Sequence, residues 1–390
     1  MKKLEQVIFV AQRHKIQPRC PYADTCGGCS WQHIASDFQP KIKREAVQDA
    51  FDSANIEARV SAVEPCPLPF YYRNRMDYVF GKNGELGLKA SGHWWETLDL
   101  NTCFLLSKEA PEILELVRVW TRASGLPFWN VKTHQGFFRY LVMREGKNTH
   151  ERLIMLVVSN QHELSDEQRT ALSIVLKPFA TSLLIGVNET ITDLSIPQRT
   201  EMLYGEPFLH ELVNGFRYRI EPASFFQTNT VMAEKLQDTV CALAGDLKNK
   251  IVLDLYCGAG FFSLALARHA KKVIGIELDQ KAIEAARVNA QLNSILNAEF
   301  FASKVESFDF AREQPHVVIL DPPRAGLHPS VIETLLKALP DRIVYVSCKY
   351  SKLVEELPKF LNAYKLEEVR ALDLFPQTPH VEVVVSLKKL

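Results

Sequence analysis

The spacing of apolar positions changes character near the middle of the chain. Up to about residue 220 the apolar runs are short and interrupted. Segments 71–80, 137–142, 152–158 and 182–188 read as strands bounded by Gly, Asn and Pro, while 111–124 and 166–176 read as helices. Segment 205–220 reads as a hairpin with Asn214-Gly215 at its turn, a dipeptide that tolerates the positive φ angles of a two-residue turn.

After about residue 229 the pattern becomes regular. A helix over 230–244 leads into continuous Val/Ile/Leu runs at 251–256, 272–278, 298–302, 317–320, 342–347 and 381–387, separated by helical stretches. Runs of that kind are buried on both faces and predict a mostly parallel sheet covered by helices on each side. The expected fold is α/β, with a β-rich α+β N-terminal and central domain over 1–215 and a parallel-sheet domain over 216–390. A length of 390 residues suits two domains.

Composition changes this picture little. Apolar residues make up 47% and charged residues 24%, as in ordinary soluble proteins. The apolar run at 7–10 is too short for a signal-peptide core, and no later stretch approaches a membrane span. A cytoplasmic monomer is expected. The 46 basic and 46 acidic residues cancel, which does not favour a nucleic-acid partner but leaves room for a basic face. Lys2, Lys3, Arg13, Lys15, Arg19, Lys41, Lys43 and Arg44 are the candidates for it.

Candidate chemistry is concentrated at the ends of the regular strands. The run 251–256 passes directly into Cys257-Gly258-Ala259-Gly260 and a helix, a bend whose glycines let backbone approach a ligand. Glu277 ends the next run, where a carboxylate can accept hydrogen bonds from a ribose. The third glycine of a dinucleotide fingerprint is missing, so no pyrophosphate need be cradled. That favours S-adenosylmethionine over a dinucleotide. Asp321-Pro322-Pro323 fixes an extended loop after the next strand, with Asp321 facing cofactor or target. Cys348 ends a buried strand and Glu382 begins one, and a carboxylate at the head of three valines needs a partner or a purpose.

Methylating carbon 5 of uracil requires such a pair. A thiolate adds to carbon 6, which loads electron density onto carbon 5, and a base later removes the carbon 5 hydrogen so that the thiolate leaves. Cysteine suits the first role and a partly desolvated glutamate the second. Gln227, in Ser224-Phe-Phe-Gln-Thr-Asn229, offers an amide donor and acceptor, and Phe225 and Phe226 could stack a base or pack. Separately, Cys20, Cys26 and Cys29 flank Gly27-Gly28 and can reach one centre, with Cys103 or Cys66 as a fourth ligand. Four thiolates suit zinc or a [4Fe–4S] cluster.

The chain resembles the RNA uracil-C5 methyltransferase family over nearly its whole length. The resemblance rests on the Ser-Phe-Phe-Gln-Thr-Asn segment, Asp-Leu-Tyr-Cys-Gly-Ala-Gly, Leu-Asp-Pro-Pro-Arg-Ala-Gly, Val-Ser-Cys and Phe-Pro-x-Thr-x-His-Val-Glu. It implies a class I, Rossmann-like S-adenosylmethionine-dependent catalytic domain, Cys348 as nucleophile and Glu382 as base. It places Gln227, Tyr256, Gly258, Gly260, Glu277 and Asp321 around the cofactor. It also implies a [4Fe–4S] cluster on Cys20, Cys26, Cys29 and Cys103, and structured RNA as partner. Phe261 and Lys304 depart from the family's cofactor contacts. Because the cysteine cluster lies so near residue 1, the small β-barrel module common in the family is expected to be missing, which points toward ribosomal RNA ahead of transfer RNA. An amino-group methyltransferase acting on adenine or guanine and a non-catalytic RNA-binding factor are the rival readings.

Overall fold

The computed structural model describes residues 14–390. Lys2, Lys3, Arg13 and the 7–10 run lie outside the described residues. The larger sheet has eight strands in the order β1 (Val60–Glu64), β16 (Tyr364–Leu372), β17 (Glu382–Lys389), β15 (Arg342–Ser347), β14 (Val317–Leu320), β11 (Ile251–Leu255), β12 (Lys272–Glu277) and β13 (Ala298–Ala302). Every neighbour pair is parallel except those of β17, which runs against both β15 and β16.

Successive residues of a strand point to opposite faces, and here both faces are apolar. Val252, Val317, Ile319, Val344, Val346 and Val384 share one core with the helices Thr230–Ala244, Phe261–Ala267 and Gln280–Leu292. Leu253, Leu255, Val318, Leu320, Ile343 and Val383 share the other with Pro329–Ala338, Tyr350–Glu356 and Gln39–Ser53. The continuous apolar runs follow from that double burial.

The second sheet has seven strands in the order β4 (His93–Asp99), β3 (Leu86–Ala90), β2 (Arg75–Phe80), β5 (Phe138–Glu145), β6 (Arg152–Val158), β7 (Ser182–Val187) and β8 (Arg199–Tyr204). It is antiparallel apart from the β6–β7 pair. A hairpin of β9 (Leu209–Val213) and β10 (Phe216–Ile220) joins the sheets. Its turn residues have φ of +49° at Asn214 and +76° at Gly215. Tyr218 donates its hydroxyl to the Phe261 carbonyl at 3.0 Å, and the Arg217 and Arg219 amides donate to the Asn293 and Asn289 side chains at 2.8 Å.

The sheets do not divide the chain at 215/216. That point falls inside the hairpin turn, and the N-terminal segment crosses into the larger sheet. Helix Gln39–Ser53 leads to β1, which pairs with β16 through Val60 opposite Val369. Val47 and Phe51 are fully buried in the same core. The reason is an unpaired edge: β16 exposes a ladder that β1 completes, and β1 brings an amphipathic helix with it. Truncating Phe51 to alanine would cost about 3–5 kcal/mol.

Lys43, one of the candidates for a basic face, is 1% exposed and donates to Asp373 at 2.5 Å and to the Phe375 carbonyl at 3.1 Å. It ties this helix to the segment before β17 and is not a surface cation. Among the described residues no helix is long and apolar enough to cross a membrane.

Candidate active site

The carboxyl edge of the larger sheet collects the predicted residues. Tyr256 and Gly258 follow β11, Glu277 ends β12, Asp321 follows β14 and Cys348 follows β15. Glu382 opens β17, and because β17 is antiparallel its beginning lies at the same edge, with Ser347 opposite Val383. A parallel strand delivers its last residue to this edge and the reversed strand delivers its first.

The bend after β11 is held by backbone. The Tyr256 and Cys257 amides both donate to the Ile276 carbonyl, at 2.8 and 3.1 Å. Tyr256 has φ of +67°, a left-handed conformation that costs a non-glycine residue roughly 1–3 kcal/mol. Gly258 (φ +52°) and Gly260 (φ +84°) continue the turn. A β-carbon at Gly260 would sit 2.7 Å from the end of the Leu264 side chain, which would have to shift. At Gly258 a β-carbon would meet nothing within 4 Å, which leaves room for a ligand against bare backbone. Glu277 borders that space. One of its oxygens accepts from the Gly258 amide at 3.3 Å and the other from the Leu278 and Asp279 amides at 2.6 and 3.0 Å.

Beneath this loop Asp254 is completely buried. One oxygen accepts from Ser263 at 2.5 Å and the other has no partner. Burial, with Glu277 nearby, pushes its carboxyl up to about 7 despite the Ser263 bond. Burial also lifts Asp321 to about 7, with Asp254 adding to the effect, although the Asp321 residue as a whole is only half-buried.

Cys348 is half-buried beside Glu382, Asp321 and Arg324. Burial raises its thiol, the Glu382 carboxylate raises it further, and Arg324 draws it down by charge and by a hydrogen bond. Glu382 is 5% exposed, and burial and then Asp321 hold it well above the usual carboxylate range while Arg324 opposes them. His380 is held below its usual value by burial, with Arg324, Lys43 and Arg73 around it. Thiol, base, second carboxyl and guanidinium therefore share one small space. Arg324 has no role assigned from the sequence, where it stands only within the Leu-Asp-Pro-Pro-Arg-Ala-Gly motif. The signal for more was a cation placed three positions past Asp321, on the same loop.

Gln227 lies on the neighbouring segment. Its carbonyl accepts from Asn74 at 2.9 Å, and its side-chain amide has no hydrogen-bond partner among the described residues. Phe226 packs against Tyr218 and Phe261, while Phe225 is 75% exposed. The two readings of that dipeptide thus separate: one ring is core and the other is free to stack. Phe261 is also core, packed on Tyr218 and Phe262, and Lys304 is exposed. Cys257 is buried, consistent with a loop-packing role.

Cys20, Cys26, Cys29 and Cys103 line a single pocket with Leu88, Leu100 and Leu105, and no charged side chain lines it. Burial pushes Cys29 up to about 12 and Cys103 to about 11. Cys66 is elsewhere, against Asn229 and the Leu68 carbonyl. Among the described residues no group of three or more His, Cys, Asp or Glu side chains is arranged to hold a metal ion. The expected ligands are gathered, but not converged on one point.

Residues 204–390 match the model of the tRNA (uracil-5-)-methyltransferase family. A "tRNA (uracil(54)-C(5))-methyltransferase" of Pyrococcus horikoshii is 36% identical, over 96% of this chain and 86% of that protein. This chain belongs to that family. An "uncharacterized RNA methyltransferase" of Clostridium tetani is 37% identical over 96% of this chain and 85% of its own length. Among solved structures, Pyrococcus abyssi tRNA (uracil-54, C5)-methyltransferase in complex with S-adenosyl-L-homocysteine superimposes with a TM-score of 0.79 at 32% identity. It covers 93% of this chain and 86% of that one. Family membership accounts for the shared edge: the fold is a Rossmann-like methyltransferase sheet with a β-rich companion.

Proposed function

We propose that this protein is an S-adenosylmethionine-dependent RNA methyltransferase acting on carbon 5 of a uridine, with transfer RNA ahead of ribosomal RNA as substrate. The observation that carries the reading is the meeting of Cys348, Glu382, Asp321 and Arg324 beside the Gly258–Glu277 cradle. The shift from the ribosomal RNA expected on sequence is supported by the names of the relatives, two of which, at 36% and 35% identity, are tRNA uracil-54 enzymes.

The cradle fits a nucleoside ligand. Gly258 leaves space against backbone, and Glu277 is already oriented by three amides to receive ribose hydroxyls. S-adenosylmethionine supplies the electrophilic methyl group. Arg324 favours the Cys348 thiolate, which bonds to carbon 6 of the uracil. The electron pair of the carbon 5–carbon 6 double bond then reaches carbon 5, which takes the methyl. Glu382 removes the hydrogen left on carbon 5, the double bond re-forms and the sulfur–carbon bond breaks. A carboxyl with a raised pKa is the stronger base once ionised, and Arg324 opposes that rise. Asp321 adds to the rise at Glu382, and Asp254 in turn adds to the rise at Asp321.

Four thiols lining one pocket suit either zinc or a [4Fe–4S] cluster, and the family resemblance favours the cluster. In this reading Cys20, Cys26, Cys29 and Cys103 hold a [4Fe–4S] group that pins the 20–29 loop to Cys103. Anaerobically purified protein should contain about four irons and four sulfides, and a single zinc would overturn it.

The functional test is incubation with S-adenosylmethionine and unmodified transfer RNA or large-subunit ribosomal RNA labelled as [5-³H]uridine. Tritium release with 5-methyluridine formation is expected on transfer RNA. Methyl transfer to an exocyclic amine without tritium release would replace this reading with the amino-group alternative.

A further inference from the structure

The edge strand β4 carries two indoles that the reaction does not use. Trp94 is 58% and Trp95 45% exposed. Their position is built by an irregular bulge. Lys89 pairs with Thr97 and the next residue, Ala90, pairs with His93, so Trp94, Trp95 and Glu96 have no residue opposite them on β3. Bulges at sheet edges re-aim side chains and end pairing. This one gives up ladder hydrogen bonds and leaves two large apolar rings in water, a combination that packing within this chain does not explain.

One of the rings carries a cation. Lys132 places its ammonium 5.2 Å from the centre of the Trp95 ring and forms no ion pair among the described residues. His93 stands edge-on to the same ring at 5.4 Å, and Trp94 lies edge-on to Trp95 at 5.9 Å. Glu96 apart, the cluster offers π-faces and positive charge.

Its location is also informative. The hairpin tip is tied to the cysteine loop, with the Ser91 amide donating to the Thr25 carbonyl at 2.8 Å and Cys26 bridged to Ala90. That loop reaches the active-site segment through the Trp31 amide and the Gln377 carbonyl at 2.9 Å. The aromatic bulge and the catalytic edge therefore flank one loop.

We propose that Trp94 and Trp95, with Lys132, form a docking platform on which unpaired bases of the RNA substrate stack while a phosphate meets the ammonium. Aromatic stacking and a nearby cation are how proteins hold single-stranded segments regardless of base identity. The inference rests on the RNA methyltransferase reading above and says where, away from the reacting uridine, that RNA is gripped.

The test compares wild-type protein with Trp94→Ala/Trp95→Ala and Trp94→Phe/Trp95→Phe, using unmodified transfer RNA and scoring 5-methyluridine. Stacking is worth roughly a fivefold to hundredfold change in affinity per base. The alanine pair should raise KM for RNA about tenfold or more, leave kcat at saturating RNA and the affinity for S-adenosylmethionine unchanged, and abolish most RNA-induced tryptophan quenching. The phenylalanine pair should recover most of the KM. Lys132→Gln should raise KM less and flatten its salt dependence. Both tryptophans are surface residues, and an unaltered melting temperature will verify folding. An unchanged KM in the alanine pair overturns the platform while leaving the methyltransferase reading intact. Wild-type protein that methylates no RNA overturns the reading on which it stands. Loss of a dimer in the alanine pair with RNA kinetics unchanged would reassign the edge to self-association, which also overturns the proposal.

Discussion

Two regions of this protein concentrate sulfur, and their surroundings differ in one respect. At the carboxyl edge of the larger sheet Cys348 stands with a guanidinium and two carboxyls. In the pocket beside β3, Cys20, Cys26, Cys29 and Cys103 stand with leucines, and no charged side chain lines it. Burial raises all five thiols, but only Cys348 has Arg324 to draw it back. A thiol with a cation and a neighbouring base can be a nucleophile that comes and goes. Buried thiols without one stay protonated unless a metal supplies the positive charge. Under the proposed function the same residue type would perform a reaction in one place and a structural task in the other.

The comparison breaks most visibly at Cys348. Cys348→Ala should lower methyl transfer by on the order of 10⁴-fold or more, in keeping with loss of a nucleophile, and should leave the melting temperature within a few degrees. Residual activity near wild type in a tritium-release assay would mean that the thiol is a bystander.

Glu382→Gln should reduce turnover by roughly 10²–10⁴-fold, the usual scale for a general base. It should do so in a distinctive way. Thiolate addition and methyl transfer precede the step that needs the base, so the methylated adduct should accumulate. A protein–RNA species that survives denaturing electrophoresis and disappears in the Cys348→Ala/Glu382→Gln double variant is the expected result. An equally slow variant with no trapped species would place Glu382 at an earlier step.

Much of the catalytic edge was legible in the sequence because a parallel sheet imposes a simple rule: whatever follows each buried run arrives at one edge. Glu277, Asp321 and Cys348 could be placed together from their spacing after strands. Glu382 obeys the reverse rule because β17 is antiparallel, and periodicity cannot announce strand direction. Strands β4 and β8 went unread because their residues are mostly exposed and lack the alternation that marks a half-buried strand. Strand β1 and its helix were assigned to the wrong unit because nothing local shows that Val60 will find Val369, a pairing across some three hundred residues. Lys43 looked like surface charge for the same reason, its partner Asp373 being equally remote.

Arg324 sharpens the comparison quantitatively. Removing its charge lets burial and Glu382 act on the Cys348 thiol unopposed, so the thiol pKa must rise and the thiolate fraction at a given pH must fall. One pKa unit is a factor of ten in that fraction. Arg324→Gln should therefore slow methylation at pH 8 by about ten- to a hundredfold and move the rising limb of the pH–rate profile to higher pH. Alkylation of Cys348 by iodoacetamide, which needs no RNA, should slow in parallel. A slower enzyme with unchanged alkylation would show that Arg324 contacts RNA and does not tune the sulfur.

The smallest effect concerns the carboxyls under the cradle. Asp254 and Asp321 are each lifted to about 7, so the unliganded folded protein holds protons that the unfolded chain releases near pH 4. Their contribution to stability is therefore present at low pH, declines as pH climbs from about 4 to 7, and changes little above that. A ligand bearing positive charge reverses the preference, because it favours the ionised carboxyls. Binding of S-adenosylmethionine near pH 6.5 should release up to about one proton per carboxyl and should tighten between pH 6 and 8, by up to about tenfold per unit for each proton released. S-adenosylhomocysteine keeps the ammonium and lacks the sulfonium, so it should release fewer. Calorimetry in buffers of different ionisation enthalpy reads this directly, and Asp321→Asn should diminish the release without abolishing binding. The pocket thiols would take no part, since the carboxyls that answer to the ligand lie beneath the cradle. Identical proton release from both ligands would place the sulfonium away from Asp321.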